Sequence, residues 1–155
     1  KDFTDLRASA AIKTAKVSQI PYKNLKKYFK AVEDCTHHAN IKSFGFDIYS
    51  WLDQDPLSQN IYEAKNKGQY TFHTDCALYT SKSAIKLTTL INLSEKPYEG
   101  GQLELFIGSY VHTVTQFDKP GNVVVFKSDI PHRVTPVTRG ARITSSLWTL
   151  GPWWR

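Results

Sequence analysis

The chain has 155 residues, 41% of them hydrophobic and 13% aromatic, and its 20 Lys plus Arg against 14 Asp plus Glu give a net charge of +6. This length predicts a single domain, residues 1–155, and this composition excludes disorder along most of the chain. No apolar run reaches the roughly 18 residues of a membrane helix, and no secretory signal stands at the N-terminus, so we expect a cytoplasmic protein with no membrane partner. The lysines are spread along the chain, which indicates a solvated surface rather than a nucleic-acid partner.

The N-terminal part is expected to be helical. Residues 1–20 have no firm period and fit a helix, an edge strand or a mobile arm. A helix is predicted to begin at Pro21, since proline is tolerated in a first helical turn, and to end near His38 to Asn40. Its apolar positions recur at three- and four-residue steps, at Tyr22, Leu25, Phe29, Val32 and Cys35. The adjacent His37 and His38 are expected to interact favourably with the helix dipole at the C-terminal end of the helix rather than to bind a metal.

From Phe44 onward the apolar residues follow a period of two, which is typical of strands. Eight or nine short strands separated by turns predict a mainly β sandwich or barrel, with the N-terminal helix covering one sheet face. The continuous apolar run at Val123–Phe126 predicts a strand buried on both faces. Residues 1–43 are therefore expected to form a helical part, and residues 44–155 the β core. Two cysteines, Cys35 and Cys76, allow a single disulfide bridge, but two buried, reduced thiols are the expectation.

The strongest chemical signal is the pair His73 and Asp75. Residues two apart on a strand project to the same side, so an imidazole and a carboxylate would lie together at one strand end. A second histidine would complete the facial triad that suits non-haem Fe(II). We expect His132 to be that ligand, since it follows an apolar strand beside the polar corner Ser128-Asp129. The other histidines are His37, His38 and His112.

A buried cation is expected near this triad. Arg142 lies ten residues after His132, across the turn at residues 138–140. Two adjacent antiparallel strands would place it deep in the same barrel. A buried arginine needs an anionic partner, because an uncompensated interior charge is costly. That partner could be a protein carboxylate or a dicarboxylate cosubstrate held by bidentate hydrogen bonds.

Taken in order, these residues resemble the Fe(II)- and 2-oxoglutarate-dependent dioxygenases, and within them the prolyl-4-hydroxylase-like group with its PKHD-type hydroxylases. The resemblance covers about Tyr62 to Trp148. Its first segment, Tyr70-Thr-Phe-His73-Thr-Asp75, is similar to the group's Tyr-x-x-His-x-Asp. The further segments are Leu90-Ile-Asn92-Leu93, Tyr98-Glu-Gly-Gly-Gln-Leu103, Pro131-His132, and Arg142 followed by Trp148.

The resemblance implies a double-stranded β-helix, or jelly-roll. It also implies Fe(II) held by His73, Asp75 and His132, with 2-oxoglutarate as cosubstrate, O2 as oxidant, and Arg142 on the far carboxylate of 2-oxoglutarate. Many collagen-type members carry lysine at the position of Arg142. The pattern that follows Arg142 does not fit nucleic-acid demethylases, and Asp75 favours hydroxylation over halogenation.

Further residues are candidates for the cosubstrate pocket. Tyr62 is expected on the strand next to His73, either as a cosubstrate ligand or as a core tyrosine. Tyr70 should point away from His73 unless a bulge turns it inward. Asn92 replaces a common tyrosine of the relatives, and Thr144 shares the face of Arg142. Leu103 and Trp148 are expected to form cavity walls.

The resemblance suggests a prolyl residue in a peptide or protein as the substrate. The alternative substrate is a free amino acid or another small molecule. The alternative function is that of a jelly-roll binding module that catalyses no reaction. The loops expected to choose the substrate are Trp51 to Asn60 and Cys76 to Ala84. Trp153 and Trp154 are expected to pack on the barrel rather than to line a peptide groove.

Overall fold

The computed structural model describes residues 12–53, 55–76, 78–80 and 83–153. Its one α-helix among these residues, α1, spans Lys26–Ala39 between a 3-10 turn at Tyr22–Asn24 and a π-turn at Asn40–Phe44. The strands, in chain order, are β1 Lys13–Thr14, β2 Lys16–Pro21, β3 Pro56–Glu63, β4 Gln69–His73, β5 Leu78–Thr80, β6 Ser83–Asn92, β7 Glu99–Gly100, β8 Leu103–Ile107, β9 Tyr110–Thr113, β10 Val123–Lys127, β11 His132–Val134, β12 Val137–Arg139 and β13 Ala141–Pro152. No helix in these ranges is long and apolar enough to cross a membrane.

Two antiparallel sheets carry the fold. The five-stranded sheet has the order β1-β4-β11-β8-β9, and the six-stranded sheet has the order β10-β6-β13-β3-β2, with β5 paired to β6. The sheets pack face to face, since Leu90 of β6 and Phe126 of β10 share a core cluster with Leu103 and Leu105 of β8. This mainly β jelly-roll with a flanking N-terminal helix confirms the predicted fold class.

The strand covered on both sides is β6, where nine of the ten residues are buried. On one side Leu90 faces the five-stranded sheet, and on the other Thr89 lies 3.0 Å, oxygen to oxygen, from Thr36 of α1. The expectation for Val123–Phe126 is wrong in this respect: β10 is an edge strand, and only Phe126 is fully buried there. An apolar run shows only that the residues are hydrophobic. Burial of a strand on both faces also requires other elements packed against each face.

Helix α1 packs through a partly polar face. Its buried residues are Val32, Glu33 and Thr36. The Glu33 carboxylate accepts hydrogen bonds from the Tyr22 hydroxyl at 2.9 Å and from the Trp51 backbone N–H at 3.0 Å. The side of α1 that carries Val32, Glu33 and Thr36 therefore faces the protein interior. Cys35 lies outside this side and is exposed instead of buried. Cys76 is exposed as well, so the expectation of two buried thiols is wrong.

The segment before the helix adds edge strands to both sheets. Strand β1 pairs with β4, and β2 pairs with β3, so the strand alternative holds for most of residues 13–21. The sheets thus begin well before residue 44, inside the part that was expected to be helical. Residues 1–11 lie outside the described residues.

Consecutive strands often lie in opposite sheets, which corrects two expectations. Tyr62 in β3 and His73 in β4 are not on neighbouring strands, since β3 pairs with β13 and β2 while β4 pairs with β11 and β1. His132 in β11 and Arg142 in β13 are separated in the same way. In both cases the connecting turn carries the chain across the sandwich, so the paired residues face each other over the interior.

Candidate active site

The interior between the sheets holds a cluster of three potential metal ligands. His73 ends β4, Asp75 follows two residues later, and His132 starts β11 directly opposite His73. The Asp75 carboxylate oxygens lie 3.7 Å from His73 Nε2 and 3.5 Å from His132 Nε2. All three ligand atoms fall within 4.8 Å of one another. Two imidazoles and one carboxylate form the donor set of a facial triad for Fe(II).

Hydrogen bonds aim both imidazoles into this cluster. Nδ1 of His73 lies 2.8 Å from the Thr71 carbonyl, and Nδ1 of His132 lies 3.0 Å from the Ile130 carbonyl. A carbonyl oxygen only accepts, so each Nδ1 carries the proton and each Nε2 offers a free lone pair. Burial, reinforced by the neighbouring His132, lowers the pKa of His73 to about 4. Burial also lowers the pKa of His132. Both rings are therefore neutral at pH 7, as metal binding requires.

The carboxylate is oriented from β6. Thr88 is fully buried, and its hydroxyl donates to Asp75 Oδ2 at 2.7 Å. The Asp75 backbone N–H donates to the Ser128 carbonyl at 3.0 Å. These two bonds hold the side chain and the backbone of Asp75 from opposite sides of the turn that follows β4. Sequence reasoning missed Thr88, because its partner lies on a different strand.

Replacing Thr88 by valine is expected to lower the Fe(II) affinity about 10- to 100-fold while the fold is kept, since valine preserves the shape and removes the orienting hydroxyl. Thr89→Val is the matched control. Thr89 is equally buried, but its hydroxyl lies beside Thr36 of α1. Anaerobic Fe(II) titration of the two variants is the measurement. An equal loss of affinity in both would show that the hydroxyl of Thr88 has no special role.

Arg142 occupies the deep end of the same interior. The residue is 1% exposed, and its guanidinium carbon lies 5.3 Å from the Tyr62 ring centroid and 5.4 Å from that of Phe117. Nη1 donates to the Thr144 hydroxyl at 3.4 Å, whereas Nε and Nη2 have no hydrogen-bond partner in the described part of the chain.

No carboxylate among the described residues lies within ion-pair distance of Arg142. Burial lowers the pKa of this guanidinium, and the nearby Tyr62, Tyr98 and Asp118 oppose that shift, Asp118 from beyond ion-pair distance. A buried cation with two free donors fits a carboxylate ligand, because bidentate pairing would satisfy both donors and the charge. The free donors and the charge of Arg142 therefore fit a carboxylate group of 2-oxoglutarate.

A glycine makes room for the guanidinium arm. Gly101 has φ of +62°, and a Cβ there would lie 3.0 Å from Arg142 Cδ and 2.9 Å from Val137 Cγ2. Any other residue at this position would therefore meet both backbone strain and a clash. This close approach gives a physical reason for the Gly-Gly pair in the segment that resembles the prolyl-hydroxylase group.

The triad and Arg142 share one cavity. Tyr62 and Tyr70, both predicted, line it, as do Leu103, Thr144 and Trp148. Four lining residues were not anticipated as cavity residues: Lys13, Leu90, Val134 and Ser146. Lys13 and Ser146 belong to no motif. Burial raises the pKa of Tyr62 to about 12, so its phenol is protonated and can donate a hydrogen bond.

Tyr70 faces inward because of a β-bulge. The register pairs His132 with His73 but Val134 with Tyr70, so three steps on β4 oppose two on β11. The extra residue reverses the strand alternation between Tyr70 and His73. Their rings stack with centroids 3.4 Å apart and an interplanar angle of 17°. Of the two alternatives for Tyr70, the bulge is the one that the structure shows.

Asn92 is not among the residues that line the cavity. It is fully buried, and its Nδ2 donates to the carbonyls of Phe117 and Asp118, each at 3.0 Å. Its Oδ1 accepts the Ser94 backbone N–H at 2.9 Å. With both amide ends occupied by backbone, Asn92 holds the loop behind Arg142, which corrects the expectation of a cosubstrate ligand.

The remaining candidates lie away from the triad. His112 is exposed on β9, and His37 and His38 are in the last turn of α1. Trp153 is 42% exposed, so packing covers it only in part, and Trp154 lies outside the described residues.

A second cavity, of about 370 Å³, shares Asp75 and Trp148 with the first. Its further lining residues are Asp55, Pro56, Thr74, Ile85 and Leu150. Only part of the first expected substrate loop is a loop, since residues 56–60 form the start of β3. In the second expected loop, residues 78–80 form β5, and residues 77, 81 and 82 lie outside the described residues.

Comparison with known proteins identifies the class. The sequence profile of the 2OG-Fe(II) oxygenase superfamily matches residues 58–150, a range that contains His73, Asp75, His132 and Arg142. The chain therefore belongs to the 2OG-Fe(II) oxygenase superfamily, and membership implies Fe(II), 2-oxoglutarate and O2.

Within this superfamily the chain is similar to the PKHD type. A PKHD-type hydroxylase of Teredinibacter turnerae is 35% identical over 102 residues, which make up 59% of this chain and 44% of that relative. The chain spans about half the length of the curated relatives it matches. These findings confirm the family resemblance of the sequence.

Two solved structures share the fold. A Pseudomonas putida prolyl-4-hydroxylase superimposes with a TM-score of 0.68 at 22% identity, covering 89% of this chain and 72% of that one. A Trichoplax adhaerens prolyl hydroxylase, solved with a hypoxia inducible factor peptide fragment, gives a TM-score of 0.69 at 20% identity, covering 90% and 64%.

Proposed function

We propose that this chain is a hydroxylase that uses Fe(II), 2-oxoglutarate and O2 to oxidise a prolyl residue in a peptide or protein. The observation that carries the proposal is one cavity with a two-histidine, one-carboxylate cluster at one end and an unpaired, buried guanidinium at the other. When bound, the metal and cosubstrate supply the oxidising chemistry: 2-oxoglutarate becomes succinate and CO2, and one oxygen atom enters a C–H bond of the substrate.

The chain itself binds and orients the reactants. His73, Asp75 and His132 would hold the metal through Nε2 and carboxylate oxygens. Arg142 would pair with the far carboxylate of 2-oxoglutarate through Nε and Nη2. The protonated Tyr62 hydroxyl is a further donor in the same cavity, and the Tyr70 ring stacked on His73 fixes the plane of that ligand.

The apolar cavity beside the triad supports a prolyl substrate. It shares Asp75 and Trp148 with the metal cavity, so a side chain placed there would lie next to the iron. Trp148, Ile85 and Leu150 offer mainly apolar surface, which suits a pyrrolidine ring better than a charged side chain. A binding module without turnover has no need for an unpaired buried guanidinium beside a metal cluster, since such a charge is costly.

Peptides that contain proline, and the same peptides with alanine in its place, test the proposal in the presence of Fe(II), 2-oxoglutarate and O2. Succinate release and a gain of one oxygen atom, read by mass spectrometry, are expected for the prolyl peptides only. If free proline or another small molecule gains oxygen while no peptide does, the peptidyl substrate is wrong and the oxygenase assignment stands. If no compound raises succinate release above that of an Asp75→Ala control, the oxygenase assignment is wrong.

A further inference from the structure

Lys13 places a second cation at the metal cavity. It lies on β1 directly opposite Tyr70, and its ammonium nitrogen is 5.0 Å from the centroid of that ring, which in turn stacks on His73. The nitrogen donates to Asn60 Oδ1 at 2.7 Å. Lys13 thereby connects an edge strand of the five-stranded sheet to β3 of the six-stranded sheet, at the side wall of the cavity.

The acceptor of this contact is held rigidly. Asn60 is 2% exposed, and its Nδ2 donates to the Ser58 carbonyl at 2.9 Å and to the Ser146 hydroxyl at 3.1 Å. These two bonds fix the amide so that its oxygen faces Lys13. An ammonium group has three donors, of which Asn60 takes one.

Lys13 is exposed on β1, and its side chain also lines the cavity. The other charged side chains that line the cavity are Asp75 and Arg142. On the proposed function, Fe(II) and Arg142 are balanced by Asp75 and the two carboxylates of 2-oxoglutarate, and Asp118 acts on Arg142 rather than on Lys13. The Lys13 ammonium has no carboxylate within ion-pair distance among the described residues, so a ligand carboxylate can pair with it. Partial burial lowers the pKa of Lys13, and the nearby Asp75 carboxylate opposes that shift.

We propose that Lys13 is a specificity-determining residue that binds a carboxylate of the primary substrate. The inference rests on the proposed function and narrows it: the substrate carries an anionic group beside the carbon that is oxidised. That carboxylate has two sources in a peptide or protein: the α-carboxylate of a chain-terminal prolyl residue, and the side chain of an acidic residue that neighbours an internal prolyl residue.

Calorimetric titration tests this without turnover, using protein loaded with Mn(II) and 2-oxoglutarate under anaerobic conditions. One ligand pair compares a C-terminal prolyl peptide with its amide. A second pair compares an internal prolyl peptide flanked by aspartate with the same peptide flanked by asparagine. Free proline is the fifth ligand and reports whether a small molecule binds in place of a peptide. We expect the carboxylate member of one pair to bind wild-type protein about tenfold or more tightly than its neutral partner.

Lys13→Gln should abolish this preference, since glutamine keeps a donor but loses the charge, and Lys13→Arg should keep most of it. The affinities for neutral ligands should not change in either variant, and the affinity for 2-oxoglutarate should fall by less than the carboxylate preference does. Lys16→Gln is the matched control, because Lys16 is exposed on β2 and pairs with Glu63 outside the cavity.

Three results would overturn the proposal. The first is equal binding of carboxylate and neutral ligands to wild-type protein. The second is a carboxylate preference that survives in Lys13→Gln. The third is an equal loss of affinity for 2-oxoglutarate and all other ligands in Lys13→Gln, which is expected of a purely structural or cosubstrate-binding residue. A carboxylate preference lost in Lys13→Gln would stand even if no compound stimulated succinate release, so the two proposals fail separately.

Discussion

Arg142→Met is expected to weaken 2-oxoglutarate binding by about a hundredfold or more, because loss of one partner of a buried charge pair costs about 3–5 kcal/mol. The same change is expected to leave the free energy of unfolding of the unliganded protein unchanged or higher. Methionine fills a similar volume, and it removes a buried cation whose Nε and Nη2 lack partners among the described residues. Weaker 2-oxoglutarate binding together with an equal or higher free energy of unfolding would show that the charge of Arg142 serves ligand binding and not the stability of the fold.

Calorimetric titration with 2-oxoglutarate and denaturant unfolding measure the two effects. Arg139→Met is the matched control, since Arg139 is exposed and pairs with Glu99 at 2.7 Å. That control should keep its cosubstrate affinity, because surface ion pairs contribute little. If Arg142→Met lost stability but bound 2-oxoglutarate normally, Arg142 would be a structural residue and the proposed cosubstrate site would be wrong.

His132→Ala is expected to lower the Fe(II) affinity by more than about a hundredfold, a larger effect than the loss of an orienting second-layer group. It removes one of three ligand atoms that lie within 4.8 Å of one another. His73→Ala and Asp75→Ala are expected to act alike. Anaerobic titration with Fe(II), or with Mn(II) as a stable substitute, is the measurement.

His112→Ala is the matched control for this series. His112 is exposed on β9, which β11 and β8 separate from β4 in the sheet, so its loss should leave the metal affinity unchanged. Iron binding that survives in His132→Ala but fails in His112→Ala would identify a different third ligand. The cluster of His73, Asp75 and His132 would then not be the metal site.

Several features of this protein were determined by short-range sequence pattern. The period of two after Phe44 predicted a mainly β fold, because alternation records which side chains turn inward. The spacing of His73 and Asp75 predicted two ligand atoms on one side of a strand, whereas Asp75 lies in the turn after β4 and is held there by Thr88 and Ser128. The motifs from Tyr70 to Trp148 predicted the family, which the superfamily profile confirms. The roles of the individual site residues remain predictions.

Other features depended on which strands meet. Nothing local shows that β3 and β4 lie in opposite sheets, so Tyr62 reaches the site from across the interior rather than from the neighbouring strand. The bulge that turns Tyr70 toward His73 exists only in the pairing of β4 with β11. Asn92 looked like a pocket residue, but two backbone carbonyls brought near by folding occupy its amide.

Lys13 shows the same division most clearly. A lysine between residues without a firm period carries no signal of function, and its contact with Asn60 joins positions 47 residues apart. Residue type and spacing determine which chemistry a side chain can supply and which face of its own strand it occupies. Its partners are chosen by strand pairing and sheet packing, which depend on the free energy of burying the whole chain, and so the tertiary structure alone decided them.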